Sequence, residues 1–260
     1  MNISRNKLIP LAEGEALALF AVTLYSQALL LLLGCVVCMV SFGISTSNWL
    51  DATIGLVWLQ PIAISLTVLP APVTIAAGCV AALIFFVIAW LNERRAYKTK
   101  TGRQSIKAVR QGIDGELPRL PLVALIVLFA LIGFIEELLF RYAIFSLTET
   151  LLSSFLPAPL VLAIALLISS LAFCLAHVRY QNLSTIAVVF AMGLLFGAVF
   201  AVTNSLAIVA LAHGLYDFTV VIRKRFQMKC DPDYFNGEVP TRTLLNEQES
   251  KPKSENTLSN

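Results

Sequence analysis

The chain has 260 residues, of which 58% are hydrophobic and only 13% charged, with a formal net charge of +3 and a mean hydropathy of +0.80. Soluble domains carry about 45–50% apolar and about 25% charged residues. The composition therefore excludes a water-soluble globule, and equally a disordered chain or a Gly-X-Y fibre. It predicts an all-α, polytopic transmembrane bundle, because a backbone in lipid must satisfy its own hydrogen bonds.

Apolar runs occupy residues 16–43, 53–70, 72–91, 120–145, 157–177, 185–203 and 205–222, against the roughly 20 residues that a crossing requires. This gives six or seven hydrophobic segments. In the first run, Cys35-Val-Val-Cys38 has redox or metal spacing, but it lacks a second pair and polar neighbours, so the thiols read as packing. Glu13 and Glu15 stand where a secretory signal would be basic, which argues against one. The second run contains Pro61. Counted as a crossing it would set Arg5 and Lys7 opposite the next basic segment; as a re-entrant segment it returns them to the same side.

Residues 93–119 carry eight bases against three acids and read as a cytoplasmic loop under the positive-inside rule, with an amphipathic helix around Ile106–Ile113. Anchoring accounts for this basic patch, so no nucleic-acid partner is expected. Four further runs lead to Arg223-Lys224-Arg225 on the same side. The last residues, from about 230, are rich in Glu, Lys, Ser and Asn and read as disordered. The organisation is thus N-terminal membrane segments (1–92), a basic loop (93–119), a four-helix core (120–222) and a cytoplasmic tail (223–260). No organelle-targeting signal is evident, and the expectation is an integral protein of a prokaryotic inner membrane.

Residues 120–222 hold only six Asp, Glu, Lys and Arg in 103 positions, and both histidines of the chain. Glu136, Glu137, Arg141, His177, His213 and Asp217 fall within or at the ends of spans, where each costs several kcal/mol and marks a functional hypothesis. Glu137 and Arg141 are spaced i, i+4, as an ion pair on one helix face. Glu136, about 100° further round, is left to face another partner. His213 and Asp217 are also i, i+4, so the carboxylate can fix the imidazole tautomer. Each feature alone has a structural reading, as a locking ion pair, a helix cap or interhelical glue. Together they define a buried site suited to glutamate-activated water, to a divalent metal such as zinc, or to a proton relay. No activated serine or cysteine stands out, which favours attack by water.

Glu136-Glu137-Leu-Leu-Phe-Arg141, Phe173-Cys-Leu-Ala-His177 and His213-Gly-Leu-Tyr-Asp217 resemble, in order, the EExxxR, FxxxH and HxxxN/D motifs of the CPBP family (CAAX protease and bacteriocin-processing) of intramembrane proteases. Phe140 and Gly193-Leu-Leu-Phe-Gly197 fit the same pattern. The resemblance covers residues 120–222 and implies an endopeptidase acting in or near the bilayer on a polypeptide, lipidated or membrane-anchored; glutamate catalysis without a metal is the expectation. By that resemblance Glu136 activates water, His177 positions it, and His213 with residue 217 forms an oxyanion pocket. Glu137, Arg141 and Phe173 support them. An ionised Asp217 cannot donate to an oxyanion, so it serves either protonated or by orienting His213; it also leaves open a metal held by Glu136, His177, His213 and Asp217. A transporter and a non-catalytic scaffold or immunity protein are the alternatives. Counting residues from the cytoplasmic side sets Glu136 deep and His177 shallow, which predicts a cavity sunk around the end of the fifth helix.

Overall fold

A computed structural model describes residues 11, 13–111, 113–177 and 183–230. Among them the only regular structure is helix, 88%, without strands. Six helices are long and apolar enough to cross a membrane. They comprise α1 (Glu13–Thr46), α4 (Ala71–Ala96), the continuous rod of α7 (Leu122–Glu137) and α8 (Ile144–Leu152), α9 (Ala158–Ala176), α10 (Leu183–Thr203) and α11 (Leu206–Cys230). Proline opens three of them: Pro70 precedes α4, Pro121 precedes α7, and Pro157 precedes α9. Proline lacks the N–H that a first turn leaves unpaired anyway.

Residues 53–70 do not cross. They contribute the end of α2 (Trp49–Thr53), a turn in which Leu56 has φ 51°, and the nine-residue α3 (Leu59–Thr67). Six crossings place the start of α1, the 97–121 connection and Arg223 at one end of the bundle, as the re-entrant reading requires. Arg5 and Lys7 lie outside the described residues.

What α3 does is visible at the α10–α11 corner. Asn204 takes a left-handed φ of 50° to reverse the chain, a conformation asparagine tolerates. Ser65 of α3 donates to the Asn204 carbonyl at 2.9 Å and accepts from the Leu206 N–H at 3.1 Å. One hydroxyl thus closes backbone groups that lipid could not.

Between Ala96 and α7 the basic segment forms α5 (Lys100–Gln111), α6 (Ile113–Glu116) and a 3-10 turn at Leu117–Arg119, a longer helical stretch than residues 106–113 alone. Tyr97, Glu93, Arg110 and Arg223 tie it to the ends of α4 and α11. Burial and the neighbouring Glu93 push the Tyr97 phenol up to about 12, so it stays a neutral donor. α11 runs eight residues beyond the apolar run, to Cys230; the expected disordered tail, from 231, lies outside the described residues.

The packing that matters for the site is the crossing of α7 and α11. A Cβ on Gly133 would sit 2.6 Å from Ala210 O and Gly214 N, and one on Gly214 would sit 2.7 Å from Phe129 O. Real Cβ contacts do not come so close, so the two glycines let the backbones touch, as small residues do in membrane helix pairs. Glu136 and Glu137 follow Gly133 by one turn, and His213 adjoins Gly214. The crossing therefore delivers the carboxylates to the imidazole.

Candidate active site

The rod of α7 and α8 is not uniformly α-helical. Residues Leu138–Ala143 form a π-helical turn directly after the two glutamates. Such turns interrupt the α-helical bonding and occur frequently at functional sites. Inside this one, Ser169 of α9 donates to the Phe140 carbonyl at 2.6 Å.

The adjacent carboxylates face different partners. Glu137 is fully buried; its Oε2 lies 3.2 Å from Arg141 Nε and its Oε1 2.7 Å from His213 Nδ1. The expected i, i+4 pair therefore forms, and the sequence did not indicate that Glu137 would also grip His213. Arg141 is equally buried, its guanidinium 4.2 Å from the Phe173 ring centroid and 5.3 Å from that of Phe196. This aromatic sandwich is the setting an arginine fork tolerates and an ammonium does not. Phe196 also stacks on His213, with centroids 4.8 Å apart and planes at 27°.

Glu136 turns the other way. Its Oε1 accepts from Gln27 Nε2 of α1 at 3.1 Å, and its Oε2 lies 3.9 Å from His177 Nε2. His177 Nδ1 is 2.8 Å from the Phe173 carbonyl; a carbonyl only accepts, so Nδ1 carries the proton and Nε2 is the nitrogen turned to Glu136. The remaining contact is His213 Nε2 to Asp217 Oδ2 at 3.5 Å. His177 and Asp217 are partly exposed while Glu136, Glu137 and His213 are buried. The accessible edge of the site thus lies where α9 ends and α11 runs on towards Arg223.

All the residues singled out from the sequence come together here, in two linked clusters: Glu136 with His177, and Arg141, Glu137, His213 and Asp217 in a chain. Phe173 touches both, lying against the His177 ring at 4.5 Å and the His213 ring at 5.9 Å. Gln27 was missed, although a carboxamide inside the first apolar run was a signal of the same kind. The mismatch in depth is settled by rod length. Leu122–Leu152 has 31 residues, roughly 46 Å at 1.5 Å per residue, against a hydrocarbon core of ~30 Å. Measured from the loop shared with α9, Glu136 and His177 lie at similar depth. Residues 178–182, next in sequence to the end of the fifth helix where the cavity is expected, lie outside the described residues.

Among the described residues, no group of three or more His, Cys, Asp or Glu side chains is arranged to hold a metal ion. The two nitrogens of His213 face Glu137 and Asp217, and Glu136 and His177 stand as a separate pair.

These features define an integral membrane protein with a buried carboxylate–imidazole site. Residues 118–219 match the family described as Type II CAAX prenyl endopeptidase Rce1-like, within the CPBP family that the motifs resemble. The matched segment contains all three motifs and implies a peptidase. No curated protein and no solved structure matches the chain.

Proposed function

We propose that this protein is an intramembrane endopeptidase in which Glu136 activates the attacking water. The observation that carries the reading is Glu136 Oε2, a buried carboxylate oxygen without a hydrogen-bond partner among the described residues, 3.9 Å from His177 Nε2. Two acceptors at that separation suit one water donating to both, which leaves its lone pair for the scissile carbonyl. As the new C–O bond forms, the water proton passes to Glu136; collapse of the tetrahedral species breaks the C–N bond, and Glu136 returns the proton to the leaving amine.

His213 gives its Nδ1–H to Glu137, so donation to the oxyanion falls to a proton on Nε2, and Asp217 is placed to stabilise the imidazolium. Glu137 and Arg141 hold that imidazole. No step requires a metal; a chelator should leave activity unchanged. The positive-inside rule assigns the accessible edge to the cytoplasmic side, with Arg223 and the basic segment. The family description makes a prenylated CAAX peptide the first substrate to try.

The test is a survey of protein termini in membranes from cells carrying wild-type protein or Glu136→Ala at equal expression. Termini that disappear in the variant are expected. An unchanged set would refute proteolysis by this site.

A further inference from the structure

Gln27 lies in α1, outside the matched segment of residues 118–219. It is buried at 6% exposure, and its Nε2 donates to Glu136 Oε1 at 3.1 Å. The opposite amide orientation would set two acceptor oxygens against each other, so an ionised Glu136 fixes which end faces it. The other end of the amide, the buried Gln27 Oε1, then has no hydrogen-bond partner among the described residues, and neither does Glu136 Oε2. A buried amide is costly in an apolar helix unless all of it is engaged. Both orphan atoms are acceptors, so whatever completes them must bring donors. The water assigned above supplies one to Glu136. The donor that a peptide substrate carries is its backbone N–H.

We infer that Gln27 belongs to the catalytic site, holding Glu136 through its NH2 group and receiving a backbone N–H of the bound substrate at its carbonyl oxygen. This rests on the peptidase reading of Glu136. Gripping Oε1 makes the two carboxylate oxygens unequal, leaving Oε2 to work on water with its rotation fixed. The carbonyl sets the register of the chain being cut beside that oxygen. α1 is thereby part of the site, and the four helices of the core form an incomplete enzyme without it.

The experiment uses the full-length protein in detergent with a farnesylated peptide ending in Cys-aliphatic-aliphatic-X, and a set of the same peptide N-methylated at one backbone amide at a time. Wild type is compared with Glu136→Ala, Gln27→Met and Gln27→Glu. Gln27→Met removes donor and acceptor at similar length; kcat is expected to fall about 10- to 100-fold, with melting within roughly 3 °C of wild type. Gln27→Glu keeps an acceptor but not the donor, and should lose kcat while holding KM. One N-methylation should raise the wild-type KM about tenfold and leave that of Gln27→Met unmoved, a coupling that a merely structural amide would not show.

Wild-type kcat in both Gln27 variants, or N-methylation that affects wild type and Gln27→Met alike, overturns the inference while an inactive Glu136→Ala keeps the peptidase reading. Activity retained in Glu136→Ala overturns both. If wild type leaves the peptide intact, the same proteins are compared on the Glu136-dependent termini in cells. There, Gln27→Met and Gln27→Glu products at wild-type abundance overturn the role of Gln27, and their loss with normal protein levels supports it.

Discussion

Replacing Gly214 by alanine tests whether the backbone contact between α7 and α11 builds the site. The added methyl would stand 2.7 Å from the Phe129 carbonyl oxygen, and the same crossing is closed from the other side by Gly133, where a Cβ meets Gly214 N at 2.6 Å. Neither obstacle is the end of a flexible side chain. The helices must therefore separate by roughly 0.8 Å to restore ordinary contact, since packed interiors have no slack to absorb it. Applied in full to Glu137 Oε1–His213 Nδ1, now 2.7 Å, that displacement would take it to about 3.5 Å, beyond a useful hydrogen bond. Overpacking costs about 1–3 kcal/mol in stability. A misplacement of about 1 Å at reacting groups costs about 100-fold in rate. Turnover and melting are measured on the same detergent preparation. Gly214→Ala with wild-type turnover and melting would refute the view that glycine contact sets the site.

Three further outcomes follow from the same contacts. Arg141→Lys should lower stability by about 2–4 kcal/mol, because an ammonium cannot face Glu137 and also replace the guanidinium between Phe173 and Phe196; melting equal to wild type would contradict this. Ser65→Ala should cost about 1–3 kcal/mol by orphaning the Asn204 carbonyl and the Leu206 N–H, read by denaturation in detergent, with Ser65→Thr retaining most of the stability. His177→Ala should lower kcat by 100-fold or more with little change in melting, as the side chain is partly exposed and ends its helix; a variant that melts early but turns over normally would make His177 a structural cap.

How much of this the sequence carried differs from element to element. The spans were legible because apolar runs of spanning length have few other uses, and Pro70, Pro121 and Pro157 mark where three of them start. The six charged and imidazole groups of the site were legible because lipid makes each one conspicuous. Residues 53–70 were ambiguous: their hydropathy matches a span, and only the contact of Ser65 with the distant α10–α11 corner shows what the segment does instead. The grip of Glu137 on His213 joins residues 76 apart through a helix crossing, which no local spacing encodes. Gln27 escaped for another reason. The reading followed ionisable groups, whereas a neutral amide in the same surroundings is nearly as exacting.

The π-helical turn explains how two neighbouring carboxylates can be buried together without forming one doubly charged spot. Glu136 and Glu137 end the α-helical part of the rod, and the turn that follows carries Arg141 round to Glu137 while its widened backbone is closed by Ser169. Each carboxylate then has its own set of partners: Arg141 and His213 for Glu137, the Gln27 amide and His177 for Glu136. The sets differ in kind. The first contains a permanent cation locked between aromatic rings, and a charge so held is poorly suited to trading protons. The second offers one hydrogen bond, a partly exposed imidazole and an oxygen without a hydrogen-bond partner among the described residues. In the mechanism proposed above, the division of labour between the glutamates therefore follows from what each one faces: Glu137 would fix the scaffold of the site, and Glu136 would be the group left to act on water.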